Sequence, residues 1–169
     1  EIINRITASV ELPTTAPVRR FFVQPKSSER ITLIVFTSNR GLCGAFNSNV
    51  IKRALRYPTA EIVAIGKKGV NTFNSLGIKA ELAYAKDDVA KDTSSITEAT
   101  AYVYKQFKEG KTDRVLVIYT DYHSAVLQVP VVRQLFPLLQ QGSIAQAVEN
   151  ETDLPAPATP QMTKADYLY

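Results

Sequence analysis

The apolar run Ile31–Phe36, followed at once by Ser38-Asn39-Arg40-Gly41-Leu42-Cys43-Gly44-Ala45-Phe46-Asn47, constrains this chain more than any other stretch. A buried run of Ile, Leu, Val and Phe, then a glycine-bearing turn, then helical spacing reads as the first strand-turn-helix of an open α/β sheet. Phe46, Val50, Ile51, Ala54 and Leu55 recur on one helical face, and Tyr57-Pro58 is a stop signal.

The unit repeats. Glu61–Ile65 reads as a second strand opening into Gly66-Lys67-Lys68-Gly69 and a short helix with Val70 and Phe73 inward, ended by Leu76-Gly77. Ile78, Ala80, Leu82 and Tyr84 alternate with Lys79, Glu81 and Ala83, the pattern of an edge strand with one exposed face. The box Ser95-Ile96-Thr97-Glu98 announces a third helix whose expected buried stripe is Ile96, Ala99, Val103 and Phe107, stopping at Gly110. Residues 114–120 are almost continuously apolar and are expected to form a central strand covered on both faces. Residues 126–138 carry Pro130 and Pro137, which cannot donate to a ladder, so they are expected to return antiparallel at an edge.

Strands alternating with helices define the expected fold class. It is one Rossmann-like, open, mostly parallel sheet with helices on both faces and an antiparallel edge strand. The 169 residues suit a single domain. Within them, residues 31–139 are expected to form the α/β body. Residues 13–30 read as a connector, and residues 140–165 as a polar loop with Pro155, Pro157 and Pro160. At the start, Ile2, Ile3, Ile6 and Val10 share one helical face. Such a stripe is too short to stand alone, so residues 1–12 are read as the end of a longer helix and the chain as a fragment.

The net charge of +4 is spread without any block of like charges. Arg19, Arg20, Lys67 and Lys68 therefore read as solvated surface, and nucleic acid is not an expected partner. No run approaches the ~18 apolar residues of a membrane span, so contact with a membrane is expected only through partners. With Cys43 the only cysteine, an internal disulfide and a cysteine metal site are both out of reach.

Glycine turns after strands invite a nucleotide reading. The dinucleotide fingerprint needs three glycines and an acid about 20 residues on, but only Gly41 and Gly44 are present and the second strand runs into Gly66-Lys67. Neither turn continues into the Gly-Lys-Ser/Thr of a phosphate-binding loop. Cys43 at a helix start is a candidate nucleophile, and His123 is the only histidine. Strand ends converge on one edge of a parallel sheet, which leaves a Cys43–His123 encounter open. Asp87, Asp88, Asp92 and Glu98 fit a solvated acidic turn before a helix. No catalytic, cofactor or metal set emerges from these residues.

Four stretches, in order, resemble the γ subunit of F-type ATP synthases: residues 38–47; Ile65-Gly66-Lys67-Lys68-Gly69-Val70-Asn71-Thr72-Phe73-Asn74; Val126-Leu127-Gln128-Val129-Pro130 through Gln134-Leu135-Phe136-Pro137; and residues 166–169. The first is the most specific. Its family-signature turn holds Arg40, Gly41, Cys43 and Gly44. The sequence departs from the family at Asn39, where Asp is more frequent, and at Ala45, where Gly is usual.

The resemblance implies a non-catalytic rotor subunit whose long terminal helices form a coiled-coil shaft. Residues 1–12 would be the end of the first shaft helix and residues 166–169 the lead into the second. Rotation of a membrane c ring, driven by ion flow, would turn this subunit and force the catalytic β subunits through successive states. The implied partners are the α/β catalytic head, the ε subunit and the c ring, with Tyr167, Leu168 and Tyr169 as the c-ring contact. No cofactor is implied. The implied location is peripheral, on the cytoplasmic face of a bacterial cell membrane, with the matrix side of the mitochondrial inner membrane as the alternative. A free-standing α/β domain, binding a ligand or using Cys43 in catalysis, is the competing reading.

Overall fold

The computed structural model describes residues 19–23, 25, 30–41, 43–84, 94–124 and 127–138. The expectations for residues 1–12, for Asp87, Asp88 and Asp92, for residues 140–165 and for Tyr167, Leu168 and Tyr169 lie outside the described residues. Among the described residues five strands alternate with three helices: β1 (Ile31–Phe36), α1 (Phe46–Ala54), β2 (Glu61–Ile65), α2 (Lys67–Ser75), β3 (Ala80–Tyr84), α3 (Ser94–Lys108), β4 (Arg114–Tyr122) and β5 (Gln128–Phe136). The sheet order is β3-β2-β1-β4-β5. β1 runs parallel to β2 and β4, β2 runs parallel to β3, and β5 is antiparallel to β4. The expected fold class is the observed one.

Each strand of the sheet's interior sends alternate side chains to two cores. Leu33, Val35, Ile62, Ala64, Leu116 and Ile118 meet Val50, Ile51 and Ala54 of α1 and Val70 and Phe73 of α2. Ile34, Val63 and Val115 face the other way, onto Ala99, Val103 and Phe107 of α3. Phe73, Phe107, Leu33 and Leu116 are almost fully buried. Burying a side chain of this kind stabilises the fold by about 1.5–3 kcal/mol relative to exposure.

Three expectations change in detail. β4 is the interior strand expected, between β1 and β5, but it is covered on both faces only in its first half: Val115, Leu116 and Ile118 are buried, while Tyr119 and Thr120 are only half so. β3 is an edge strand, but its apolar residues do not share one face. A bulge pairs Ile62 with Ala80 and Val63 with Leu82, so Glu81 is the extra residue. Ala80 consequently packs with the first core, and Leu82 and Tyr84 with the second. In α3 the buried stripe is Ser95, Ala99, Val103 and Phe107, and Ile96 is 45% exposed. Strict i+4 spacing back from Phe107 arrives at Ser95, and Ile96 lies about 100° further round the helix. Ser95 is therefore inside the helix rather than at its cap, and Glu98 turns to the Tyr84 hydroxyl.

Candidate functional site

Parallel strands deliver their C-terminal ends to one edge, and there the turns after β1 and β2 interlock. Thr37 N–H donates to Ile65 O at 2.8 Å, continuing the ladder one residue past β1. The next polar groups serve α2. Asn39 Oδ1 accepts from Lys67 N at 3.0 Å, Ser38 O accepts from Lys68 N at 3.1 Å, and Thr37 Oγ1 accepts from Gly69 N at 2.8 Å. The first three N–H groups of this helix thus already have acceptors from the β1 turn. A helix start attracts phosphate through such unsatisfied donors, and these are occupied by the protein itself.

Residues 38–47 close on themselves as well. Ser38 N–H donates to Asn47 Oδ1 at 2.9 Å, and Asn47 Nδ2 donates back to Ser38 Oγ at 2.8 Å. Between them, Ser38 Oγ donates to Arg40 O at 2.7 Å. The Cys43 thiol lies 3.3 Å from Gly41 O and 3.5 Å from Arg40 O, with Ser38 Oγ at 3.7 Å. Gly44 turns the chain into α1 with φ +55°. Arg40, Gly41, Cys43 and Gly44 therefore sit together in one hydrogen-bonded turn, with Arg40, Gly41 and Gly44 exposed and Cys43 partly so.

Gly66 explains how the second turn comes so close. Its φ is +106°, and a Cβ there would lie 2.1 Å from Thr37 O. Only glycine permits both the backbone conformation and the approach.

His123 lies beyond this edge, in the tight turn between β4 and β5. Its Nε2 is 3.5 Å from Asp121 Oδ2 and its N–H donates to Leu127 O at 3.1 Å. β1 stops level with Tyr119, because Val35 pairs with Ile118. His123 is four residues past that level, roughly 13 Å of extended chain. The thiol keeps its partners within its own turn and the imidazole keeps its partner on its own strand; no pair is formed between them.

A crevice of about 380 Å³ opens between the ends of β1 and β4, lined by Phe36, Thr37, Ser38, Phe46, Val117, Tyr119 and Thr120. β1 is the strand from which the chain departs first to one side and then to the other, so this is the switch point where open α/β sheets hold ligands. The lining here is predominantly apolar. Its one orphaned polar atom is Thr120 Oγ1, buried without a hydrogen-bond partner. Among the described residues, no group of three His, Cys, Asp or Glu is placed to hold a metal, and no helix is long and apolar enough to cross a membrane.

The opposite edge of the sheet holds the polar side chains that the sequence reading missed. Asp113 accepts from Arg30 Nη2 at 2.8 Å, Arg30 Nε at 3.0 Å and Arg20 Nη2 at 3.1 Å. The bonds from Arg30 and then Arg20 hold its carboxyl below the ordinary aspartate value against the effect of burial. Arg20 is therefore not the solvated charge expected from its sequence surroundings. Nearby, Glu61 accepts from both Tyr102 and Thr32. Burial, followed by the bond to Glu61, pushes the Tyr102 hydroxyl well above its ordinary pKa. Long-range partners of this kind leave no local signal in sequence.

A sequence model of the ATP synthase family matches residues 1–168. The ATP synthase gamma chain of Arthrospira platensis is 35% identical over 135 residues, covering 73% of this chain and 42% of that protein. The gamma chain of Prochlorococcus marinus strain MIT 9211 is 38% identical over 152 residues, covering 83% of this chain and 47% of its own. The chain thus spans about half the length of these curated relatives. Among solved structures, a chain of the central stalk and c ring of the Tetrahymena thermophila mitochondrial ATP synthase shares the fold, with a TM-score of 0.50 at 20% identity over 67% of this chain and 52% of that one. With the family model matched along nearly its whole length, the chain belongs to the ATP synthase gamma chain family.

Proposed function

We propose that this chain is the globular part of a rotor subunit, a rigid body that links rotation of a membrane c ring to the catalytic α/β head of an ATP synthase. The observation that carries this reading is the family match over residues 1–168, joined to a β1 turn whose polar groups serve the first N–H groups of α2. The first N–H groups of α2 hold Thr37, Ser38 and Asn39, and a closed turn holds Cys43; a body that transmits torque needs its turns fixed in this way, whereas a phosphate site needs those donors free. Close packing transmits displacement rather than absorbing it. Coupling between ion flow and nucleotide affinity then follows from differential contacts of the rotor in each rotational state.

On this reading the subunit is itself non-catalytic within a rotary ATPase. It lies peripherally on the membrane through its partners, on the cytoplasmic face in a bacterium or the matrix side in a mitochondrion, and the ε subunit packs beside it. Residues 1–12 are the end of the first shaft helix and residues 166–169 the lead into the second, residues 31–139 form the body, and Tyr167, Leu168 and Tyr169 meet the c ring. The decisive experiment uses the complete subunit assembled with its partners. Tyr167→Glu with Tyr169→Glu is expected to release most of the catalytic head from the membrane sector on sedimentation, and normal co-sedimentation would remove these residues as the contact. In the same assembly Cys43→Ala is expected to leave ATP-driven ion pumping intact. Loss of pumping would revive the Cys43-dependent reading.

A further inference from the structure

The chain enters the body through residues 19–23 and leaves it through residues 136–138, and the two segments meet. Leu138 N–H donates to Phe21 O at 2.7 Å. The Phe21 ring packs on Phe107 with centroids 4.9 Å apart, on Phe136 at 5.3 Å and on Tyr104 at 5.4 Å. Each segment also has its own polar tie. Arg20 Nη2 donates to Thr112 O at 2.7 Å and to Asp113 at 3.1 Å, with the guanidinium carbon 5.1 Å from the Phe107 ring centroid. Gln134 Nε2 donates to Pro137 O at 2.8 Å, while its Oε1 accepts from Arg114 Nε at 3.0 Å. Both ties end on Thr112-Asp113-Arg114, where β4 begins.

From this convergence we infer that the joint is a clamp fixing the body to the flanking segments of the subunit, with Arg20 as a positioning residue of the rotor. This rests on the rotor reading above. Two chain crossings left untied to each other let a body swing about them, because each crossing has soft φ and ψ angles. Cross-tying the crossings to each other and to one rigid strand end removes that hinge. Charge-assisted hydrogen bonds and packed rings are the stiff means of doing so. Arg20 and Arg30 share the Asp113 carboxylate but differ in attachment: Arg20 belongs to the incoming segment, whereas Arg30 directly precedes β1 and its carbonyl already accepts from Asp113 N–H at 2.8 Å.

That difference supplies the test. The complete subunit, assembled into its ATP synthase in ion-tight vesicles, is assayed for ATP hydrolysis, for ions pumped per ATP and for amide hydrogen exchange. Arg20→Gln is expected to raise exchange at residues 20–23 and 138 roughly tenfold while the core strands stay protected. It lowers ions pumped per ATP roughly twofold or more, with hydrolysis retained. Arg20→Lys restores both, and Arg30→Gln lowers the melting temperature without changing the pumping ratio. If Arg20→Gln does not assemble, Gln134→Ala loosens the outgoing tie and carries the same expectation. An unchanged ratio in a loosened joint would sink the inference, as would unchanged exchange at residue 138 or an equal loss of coupling in Arg30→Gln. Failure of the rotor reading looks different: the unsubstituted subunit would then not restore pumping to a complex lacking its gamma chain.

Discussion

At the scale of single residues, the decisive positions are those where one atom too many, or one proton, breaks a long-range contact. Gly66 and Gly41 both lie in glycine turns, yet they differ in consequence. A Cβ at Gly66 strikes the Thr37 carbonyl, whereas one at Gly41 lies 3.2 Å from the mobile end of Lys68. Gly66→Ala is expected to destabilise the protein by about 3 kcal/mol or more, and Gly41→Ala by less than about 0.5 kcal/mol. Denaturant midpoints of the two variants check this. Asp113 contributes to the acid sensitivity. Its folded pKa lies below the ordinary 3.8, so on acidification the unfolded chain takes up the proton first. The stability it contributes is complete above about pH 5 and falls as the pH drops through 3.8 toward the folded value. Asp113→Asn is expected to cost about 1–3 kcal/mol at neutral pH, discounted for the partial exposure of both arginines, and to flatten that part of the acid unfolding curve. A curve parallel to that of the unsubstituted protein between pH 5 and pH 3 would show that the carboxylate lies elsewhere in the balance.

At the scale of elements, hydrophobic period locates helices and strands well and assigns their faces less well. Glu61–Ile65 is the strand its apolar run implies, and α2 ends at Ser75, just before the Leu76-Gly77 stop. α3 shows where period alone misleads. Ile96 is apolar and in the expected window, but the face is set by which residues stack above Phe107, and these are Val103, Ala99 and Ser95. Ile96→Gln is therefore expected to change stability by less than about 0.5 kcal/mol. Val103→Ala, at a site with no exposed area, is expected to cost about 2 kcal/mol. Thermal unfolding of the pair distinguishes the two stripes directly. β3 teaches the same lesson for strands. Its alternation is regular in sequence, and one bulge at Glu81 divides Ala80 from Leu82 between opposite cores. Sequence has no marker for it, because the bulge arises from how an edge strand fits its neighbour.

At the scale of the whole molecule, one end of the sheet is locked by backbone donors and small polar side chains, and the other by arginines and aromatic rings. Thr37, Ser38 and Asn39 join β1 to α2 at the first end. Arg20, Asp113 and Phe21 join the incoming chain to β4 and α3 at the second. The turn around Cys43 and Gly44 was legible as a turn, since glycines after a buried strand have few other uses. Its internal closure from Ser38 to Asn47 was not legible, because both residues are ordinary polar types whose partner lies across a turn. Arg20 was indistinguishable from surface charge in sequence, and its role depends on Asp113, over ninety positions away.

What the sequence by itself determined is therefore the order of strands and helices, the parallel class of the sheet, its antiparallel edge and the family. All of these are written in local period and in contiguous motifs. The tertiary structure alone decided which face each side chain took, which turn supplied the acceptors for the first N–H groups of α2, and which carboxylate held Arg20. Those outcomes depend on distances between residues far apart in the chain, and such distances exist only once the two cores have closed around the sheet.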